Sequence, residues 1–334
     1  MYDLVIIIVN WNGEKFIEAC LSSVLNALRN VKFNTKVICV DNNSSDNSRS
    51  FISKFENICK IYNKSNLGFA KANNEAIKLY KSKYYLLLNP DTIIVDQNNF
   101  DIMLSFMEDN PKVGIAGCKI TYEDGQWQSS IGHFANLITG FSEQIKLNIF
   151  IHKHKLFKRV GSFCSKYFNN LLSHFNETMH QSCHPLDVQF VLGAYLMVRS
   201  QVIENIGLLD EVFFIFGEEN DFCYRAIKNG WKVKFVPYTK IVHLGSQSQK
   251  QVFDKMYYWH IAVYFWYFHK HNKTKYYIWN FITLIIQLIL YIFNNIIGKR
   301  NSNLIHKSLM ELTFCTSSSL PQKMFDKWEI INSY

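Results

Sequence analysis

Two acidic clusters and one histidine carry most of the chemistry open to this sequence. The first cluster is Asn89-Pro90-Asp91, where the apolar run Tyr84–Leu88 stops. A carboxylate at the mouth of a strand, with an amide oxygen two residues before it, suits Mg2+ or Mn2+. Those ions take one or two carboxylates together with phosphate oxygens. In isolation the same three residues also read as a type I turn. The second cluster is Glu218-Glu219-Asn220-Asp221, which follows Phe213, Phe214, Phe216 and Gly217. Acids in the first turn of a helix complement its dipole. A carboxyl set among aromatic rings also has its pKa raised, and can then act as a base. Asp221 and Arg225 are four residues apart and can pair on a helix, which makes Asp221 a brace. His243 ends the run Lys240–Val242 and offers an imidazole to the same cation.

These groups need a scaffold that brings them together. The first 120 residues alternate strand and helix patterns. Leu4–Val9 is a continuous apolar run, as expected of a strand buried on both faces. Lys36–Val40, Ile58–Tyr62 and Tyr84–Leu88 are further strands. Helical spacing fills Glu14–Leu28, Ser44–Phe55 and Gly68–Tyr80 between them. Such alternation predicts a doubly wound, parallel α/β sheet, which binds ligands beyond the carboxyl ends of its strands. The loops at that edge are Asn10-Trp11-Asn12, Asp41-Asn42-Asn43, Asn63–Phe69 and Asn89-Pro90-Asp91. All are rich in Asn or Asp, whose side chains can hydrogen-bond a pyrimidine edge and ribose hydroxyls. The first turn has neither the G-x-G-x-x-G pattern of a dinucleotide site nor a Walker phosphate loop.

Composition bounds the partners. The chain has 334 residues and a net charge of +9, which suits an anionic partner: nucleic acid, a nucleotide, or an acidic lipid surface. Its eight cysteines form no C-x-x-C pair, so reduced thiols in the cytoplasm are expected rather than a disulfide framework or a zinc ribbon. Residues 133–184 lose the strand and glycine signals and read as a variable, partly helical insertion. Residues 187–243 return to mixed α/β patterning, and from residue 250 the chain is helical and aromatic. Residues 276–297 hold no charged side chain and would extend about 33 Å as a helix. That segment reads as a membrane span, an interfacial or re-entrant helix, or a buried core helix. Tyr257–Tyr277 mixes aromatics with Lys and His, as interfacial helices do.

Seven stretches occur in a telling order: "VNWNG", "VDNNSSDNS", "NLGFAKANN", "LLLNPDT", "LGAYLMVR", "LLDEVFFIFGEENDFCYRAIKNGWKVKFVP" and "VHLGSQS". Together they resemble the family 2 glycosyltransferases, and most closely the rhamnosyltransferase-like branch of bacterial surface-polysaccharide assembly. The resemblance covers about residues 3–265. It implies a GT-A fold, a Rossmann-like and mostly parallel central sheet, with a helical, aromatic-rich C-terminal extension. Residues 1–245 would form the catalytic domain, with a nucleotide-binding half at 1–120 and an acceptor and base half at 185–245. Residues 246–334 would associate with the membrane.

The activity implied is inverting transfer of a sugar from a nucleotide-diphosphate donor, dTDP-rhamnose or a UDP-sugar, to a hydroxyl of a glycan. Val9, Asn10, Asn12, Asp41, Asn66, Gly68, Phe69 and Asn74 would line the nucleotide pocket. Asn89 stands in the first position of the family's D-x-D motif, so Asp91 carries the direct contact to a divalent cation, Mn2+ or Mg2+. His243 matches a downstream metal-binding histidine. Glu218 and Glu219 match the acidic pair that holds the general base, with Glu219 where the family usually has Asp. Gly193 and Ala194 match a small-residue loop beside the donor sugar. The acceptor expected is a polyprenyl-diphosphate-linked glycan on the inner face of the cytoplasmic membrane, with no nucleic acid partner.

Two other readings share parts of this pattern. A sugar nucleotidyltransferase would need a glycine-rich, basic loop after the first strand to hold a triphosphate. Asn10–Phe16 offers one Gly and one Lys. A non-catalytic scaffold of polysaccharide assembly would make the C-terminal third its working part.

Overall fold

A computed structural model describes residues 1–29, 31–141, 144, 182–244, 253–296, 303–315 and 318–332. The chain divides into two compact units, Met1–Phe134 with Phe175–Lys250, and Ala135–His174 with Gln251–Tyr334. Most of the expected insertion at 133–184 lies outside the described residues, as do Gly245 to Ser248 of the last quoted motif.

The first unit runs β1 (Tyr2–Asn10), α1 (Ile17–Ala27), β2 (Thr35–Asp41), α2 (Ser48–Ser53), β3 (Cys59–Tyr62) and α3 (Gly68–Leu79). It continues through β4 (Ser82–Leu88), β5 (Thr92–Ile94), α4 (Asn99–Asp109) and β6 (Val113–Thr121). Four short strands follow, β7 (Trp127–Gln128), β8 (Ile131–Gly132), β9 (Leu186–Asp187) and β10 (Phe190–Val191). The unit closes with β11 (Tyr195–Arg199), α5 (Ser200–Ile206), α6 (Glu218–Lys228) and β12 (Lys232–His243).

The main sheet has the order β3-β2-β1-β4-β11-β6-β12-β5. β3, β2, β1 and β4 are parallel to one another, and β12 is parallel to β6. β11 runs antiparallel to β4 and β6, and β5 antiparallel to β12. The sheet is therefore mostly parallel, with helices on both faces. β1 reads as unbroken apolar sequence because alternate residues feed two different cores. Leu4, Ile6 and Ile8 join Cys20, Leu21 and Val24 of α1 and Phe100 and Met103 of α4. Val5, Ile7 and Val9 join Ala72 and Ala76 of α3 and Phe222 and Cys223 of α6.

The topology brings distant segments to one edge. β11 opposes β4 with Tyr195 against Leu88, so its first residues lie where β4 ends. β5 opposes β12 with Thr92 against His243, so the residue before Thr92 meets the end of β12. Asn10, Asp41, Asp91, the Gly193-Ala194 turn and His243 are thus gathered at the carboxyl edge of the sheet.

The second unit holds α7 (Phe253–His271), α8 (Lys273–Ile296), α9 (Asn303–Thr313) and α10 (Leu320–Asn332). Here the structure corrects one expectation. The aromatic run at the start of α7 is core, not interface: Tyr257, Tyr258, Trp259, Phe265 and Phe268 are all at most 1% exposed. Trp279 of α8 packs among them, its ring centroid 4.9 Å from that of Tyr264. A helix apolar around most of its circumference belongs inside a bundle. Seven of the eight cysteines fall among the described residues, and Cys20, Cys39, Cys59, Cys118, Cys223 and Cys315 are free thiols. Burial pushes the Cys20 thiol up to about 12.

Candidate active site

The first two strand ends carry buried polar side chains. Asn10 and Asp41 are both 0% exposed. Asn10 Nδ2 donates to Asp41 Oδ1 at 3.3 Å and to Ser44 Oγ at 3.1 Å. Its Oδ1 is buried with no partner. Asp41 accepts from Arg49 Nε at 2.6 Å and from the Ser44 N–H at 3.2 Å. Asn12 adopts a positive φ of 50° and ties the first two loops together through Ser44 and Ser45. Val9 is buried in the core below, so it offers this edge only its main chain.

Asn42 links the second and third loops. Its Nδ2 donates to Asn66 Oδ1 at 2.7 Å, and its Oδ1 accepts from Asn63 and from the Leu67 N–H. Gly68 has φ +78°, and a Cβ there would lie 2.4 Å from the Phe214 carbonyl oxygen. Only glycine fits that approach. The Phe69 N–H donates to the same carbonyl at 2.8 Å. The loop before α6 is therefore clamped onto the start of α3.

The fourth strand end holds the expected cation ligands side by side. Asp91 and His243 are 6% and 8% exposed, with Asp91 Oδ1 3.1 Å from His243 Nε2. The Leu244 N–H donates to the Asp91 carbonyl at 2.9 Å, fixing the end of β12 against this turn. His243 Nδ1 lies 3.0 Å from Gln128 Oε1. The Asn89 carbonyl accepts from Thr92 Oγ1 at 2.7 Å and is approached by the Cys20 thiol. Asn-Pro-Asp is therefore a turn that sets Asp91 against His243. No group of three or more His, Cys, Asp or Glu that could hold a metal occurs among the described residues. Asp91 and His243 make a pair, not a cage.

The second acidic cluster opens α6. Gly217 takes the left-handed conformation, φ 89°, and the two glutamates follow it. Glu218 is 5% exposed and Glu219 is half-buried, yet Oε2 of each is buried with no partner. Burial pushes the Glu218 carboxyl well above the ordinary range, and repulsion from Glu219 adds to it. Burial also raises Glu219, against the opposing pull of its own N–H and those of Gly193 and Gly217. Asp221 is 0% exposed and braces Arg225 at 2.7 Å, as its spacing predicts. Arg225 in turn donates to the carbonyls of Ile206 and Leu208.

One loop joins the two centres. The Gly193 N–H faces the Glu219 carboxyl, and the Ala194 carbonyl accepts the Asn89 N–H at 3.2 Å. The Phe69 ring stands 3.6 Å from where a Cβ on Gly193 would be.

Asn74 is the expected pocket residue that stands apart. It is 1% exposed, and its amide is taken up by the Leu209 carbonyl, the Glu211 carboxylate and the Leu209 N–H. Sequence reasoning overlooked Gln128, which a two-residue strand carries to His243, and Arg49, the counter-charge of Asp41. Arg49 had a weak signal, a lone cation eight residues past a buried acid. Gln128 had none.

Comparison with known proteins gives the family and the fold. The model of "Glycosyl transferase family 2" matches residues 5–206, and that of "Glycosyl transferase family group 2" matches residues 150–321. The N-acetylglucosaminyl-diphospho-decaprenol L-rhamnosyltransferase of Mycobacterium tuberculosis is 23% identical over 225 residues, covering 64% of this chain and 67% of that protein. The dTDP-rhamnosyl transferase RfbF of Shigella flexneri is 25% identical over 221 residues, covering 65% and 62%. The chain thus spans about two thirds of the length of these two relatives. Among solved structures, the mannosyltransferase PcManGT from Pyrobaculum calidifontis, in complex with GDP-Man and Mn2+, superposes with a TM-score of 0.52 at 10% identity. That match covers 100% of this chain and 87% of that one. The chain belongs to glycosyl transferase family 2: it is a transferase of the GT-A fold with a rhamnosyltransferase-like sequence.

Proposed function

We propose that the chain moves a sugar from a nucleotide-diphosphate donor to a hydroxyl of a glycan acceptor, inverting the anomeric carbon. The observation that carries this reading is the joining of two centres through the Gly193-Ala194 turn. On one side of that turn is the Glu218–Glu219 pair, on the other the Asn89–Asp91 turn with His243.

The residues fit a divalent cation. Two ligands at right angles on an ion with bonds of about 2.1 Å are about 3.0 Å apart, and Asp91 Oδ1 and His243 Nε2 are 3.1 Å apart. To bind an ion through Nε2, His243 would donate Nδ1–H to Gln128 Oε1 and turn the Nε2 lone pair toward the Asp91 carboxylate. Two acceptors then face each other, and a cation between them satisfies both. Asp91 and His243 would hold it, and when bound it would neutralise charge on the leaving diphosphate. The single charge at Asn89 that a full D-x-D would add is missing, so the diphosphate itself must complete the ligand set.

Asp41, Asn42 and the partnerless Oδ1 of Asn10 would meet the nucleoside. Glu219 would take the proton of the acceptor hydroxyl as that oxygen attacks from the face opposite the diphosphate. Burial raises both carboxyls, so the pair would share a proton, and Glu219, whose charge the Gly193 and Gly217 N–H groups favour, is proposed as the ionised member. Glu219 reaches about 1.5 Å farther than the aspartate usual at its position.

The donor proposed is dTDP-rhamnose, in keeping with the name of the Shigella relative, with a UDP-sugar as the alternative. The acceptor proposed is a polyprenyl-diphosphate-linked glycan at the inner face of the cytoplasmic membrane, in assembly of an O-antigen or capsule-type polysaccharide. The test is a hydrolysis screen of dTDP- and UDP-sugars by the purified chain. One donor should be cleaved with Mn2+ and spared after EDTA. Cleavage of none, with or without acceptor, would overturn the reading.

A further inference from the structure

We infer that α8 lies in the plane of an anionic membrane leaflet and seats one apolar face among the lipids. The inference deepens the lipid-linked acceptor proposed above and rests on it for its purpose, not for its geometry.

α8 is amphipathic in the opposite sense to a surface helix of a soluble bundle. Its buried side carries Thr283, Gln287 and Asn294, each 0% exposed, beside Trp279 and Leu290. Gln287 Nε2 donates to Tyr257 Oη of α7 at 3.0 Å, and its Oε1 lies 2.6 Å from His306 Nδ1 of α9. Gln144 Nε2 donates to Thr283 Oγ1 at 2.9 Å. The outward side is apolar. Tyr277, Phe281, Ile285, Leu288, Ile289 and Ile292 are between 42% and 67% exposed. Their spacing of three and four residues draws one stripe along the helix, about 22 Å long at 1.5 Å per residue. Between Tyr276 and Asn294 every exposed residue is apolar. In a water-facing helix that is where charged residues belong.

Charge names the occupant. From Lys255 to Met310 the sequence contains no Asp or Glu, while it holds six Lys and one Arg. Lys270 and Lys273 are exposed where α7 gives way to α8. An apolar stripe on a stretch of chain that carries cations and no acid is complementary to a leaflet with anionic headgroups. The orientation follows from the polar side. Its hydrogen bonds to α7 and α9 hold that side inside the bundle, so α8 offers hydrocarbon one face. The helix is 24 residues, long enough to span, but a spanning helix would present its whole circumference.

The test uses the full chain and vesicles of phosphatidylethanolamine with about 30% phosphatidylglycerol, an anionic surface that attracts basic segments. The wild type should float with these vesicles and bind pure phosphatidylcholine at least tenfold less. The triple variant Phe281→Asp, Ile285→Asp, Leu288→Asp should stay in solution with an unchanged melting temperature, because the three side chains are exposed. Alkaline carbonate should strip the bound wild type from the vesicles, and retention would overturn the in-plane orientation in favour of a span. No flotation, with a wild-type dimer that the triple variant dissolves, would make a second copy the occupant. No flotation, with a large drop in melting temperature of the variant, would mean that the stripe is covered by the chain itself. Donor hydrolysis in vesicle-free buffer keeps the two proposals apart. Wild-type flotation without hydrolysis sinks the enzyme reading alone, and hydrolysis without flotation sinks this one alone.

Discussion

Asp91 Oδ1 and His243 Nε2 face one another at 3.1 Å across the junction of β5 and β12. Neither side chain has room to turn away, since both are nine-tenths buried. If a cation sits between them, Asp91→Ala and His243→Ala should each weaken Mn2+ binding, read by titration with the nucleoside diphosphate present. Asp91→Ala should do so by at least 100-fold, because it removes the only carboxylate of the pair. Loss of nucleotide affinity equal with and without Mn2+ would show that Asp91 serves the pocket and not the ion.

Gln128 is a positioning residue for this pair. Its amide oxygen fixes the His243 ring through Nδ1. Removing such an outer partner typically costs 10–100-fold in metal affinity. Gln128→Ala should raise the Mn2+ concentration for half-maximal donor cleavage by that factor, with kcat at saturating Mn2+ little changed. A fall in kcat that Mn2+ does not restore would assign Gln128 to folding or to acceptor contact.

Asn74 separates a pocket role from a brace. Its amide makes three hydrogen bonds to Leu209 and Glu211. Asn74→Ala leaves a buried carbonyl and N–H of Leu209 unpaired, at a cost of about 1–3 kcal/mol each way a partner is lost. The melting temperature should fall by several degrees with nucleotide affinity unchanged in the folded fraction. An unchanged melting temperature with weaker nucleotide binding would restore Asn74 to the pocket wall.

Glu219 and Glu218 should part company in kinetics. Glu219→Gln should slow transfer by about 10²–10⁴-fold, the usual worth of a general base, without weakening donor binding. Glu218→Gln should leave most of the rate, since Gln imitates the protonated acid. Wild-type rate should fall with pH already above the ordinary glutamate value of 4.5, because burial raises Glu219. Equal losses in both variants would make the pair act as a unit.

How much of this was legible varies with sequence separation. β1 and its Asn10 were readable because six apolar residues in a row fit only a strand buried on both faces. The loops after β1, β2 and β4 followed from the parallel order. Asp91 and His243 were readable as ligand types, but their contact depends on β5 doubling back on β12, a three-residue strand with no periodic signal. Gln128 was invisible for the same reason. Asn74 reads as a pocket residue because the family resemblance carries that position to the nucleotide, and the same Asn can serve a ligand or a loop. The aromatic run of α7 misled because Lys and His near its end gave an interfacial look to residues that the fold buries.

The acidic pair should also be readable in stability. Glu218 binds its proton more tightly in the folded protein than in the unfolded chain, since burial and Glu219 both raise its pKa. A raised carboxyl is harmless while both states are protonated, below the ordinary value of 4.5. As pH climbs above that value the unfolded chain ionises freely while the folded one resists, so folding loses stability until the folded pKa is reached. Glu218→Gln removes that loss and keeps the shape. Its melting temperature should match the wild type below pH 4.5 and exceed it by a margin that widens as pH rises above that value. Asp221→Asn makes a comparison of another kind, because it breaks the ion pair with Arg225 at 2.7 Å. A Glu218→Gln margin that is constant with pH, or that shrinks as pH rises, would mean that Glu218 is ionised and paired in the folded protein. The base would then have to be sought in Glu218 instead of Glu219.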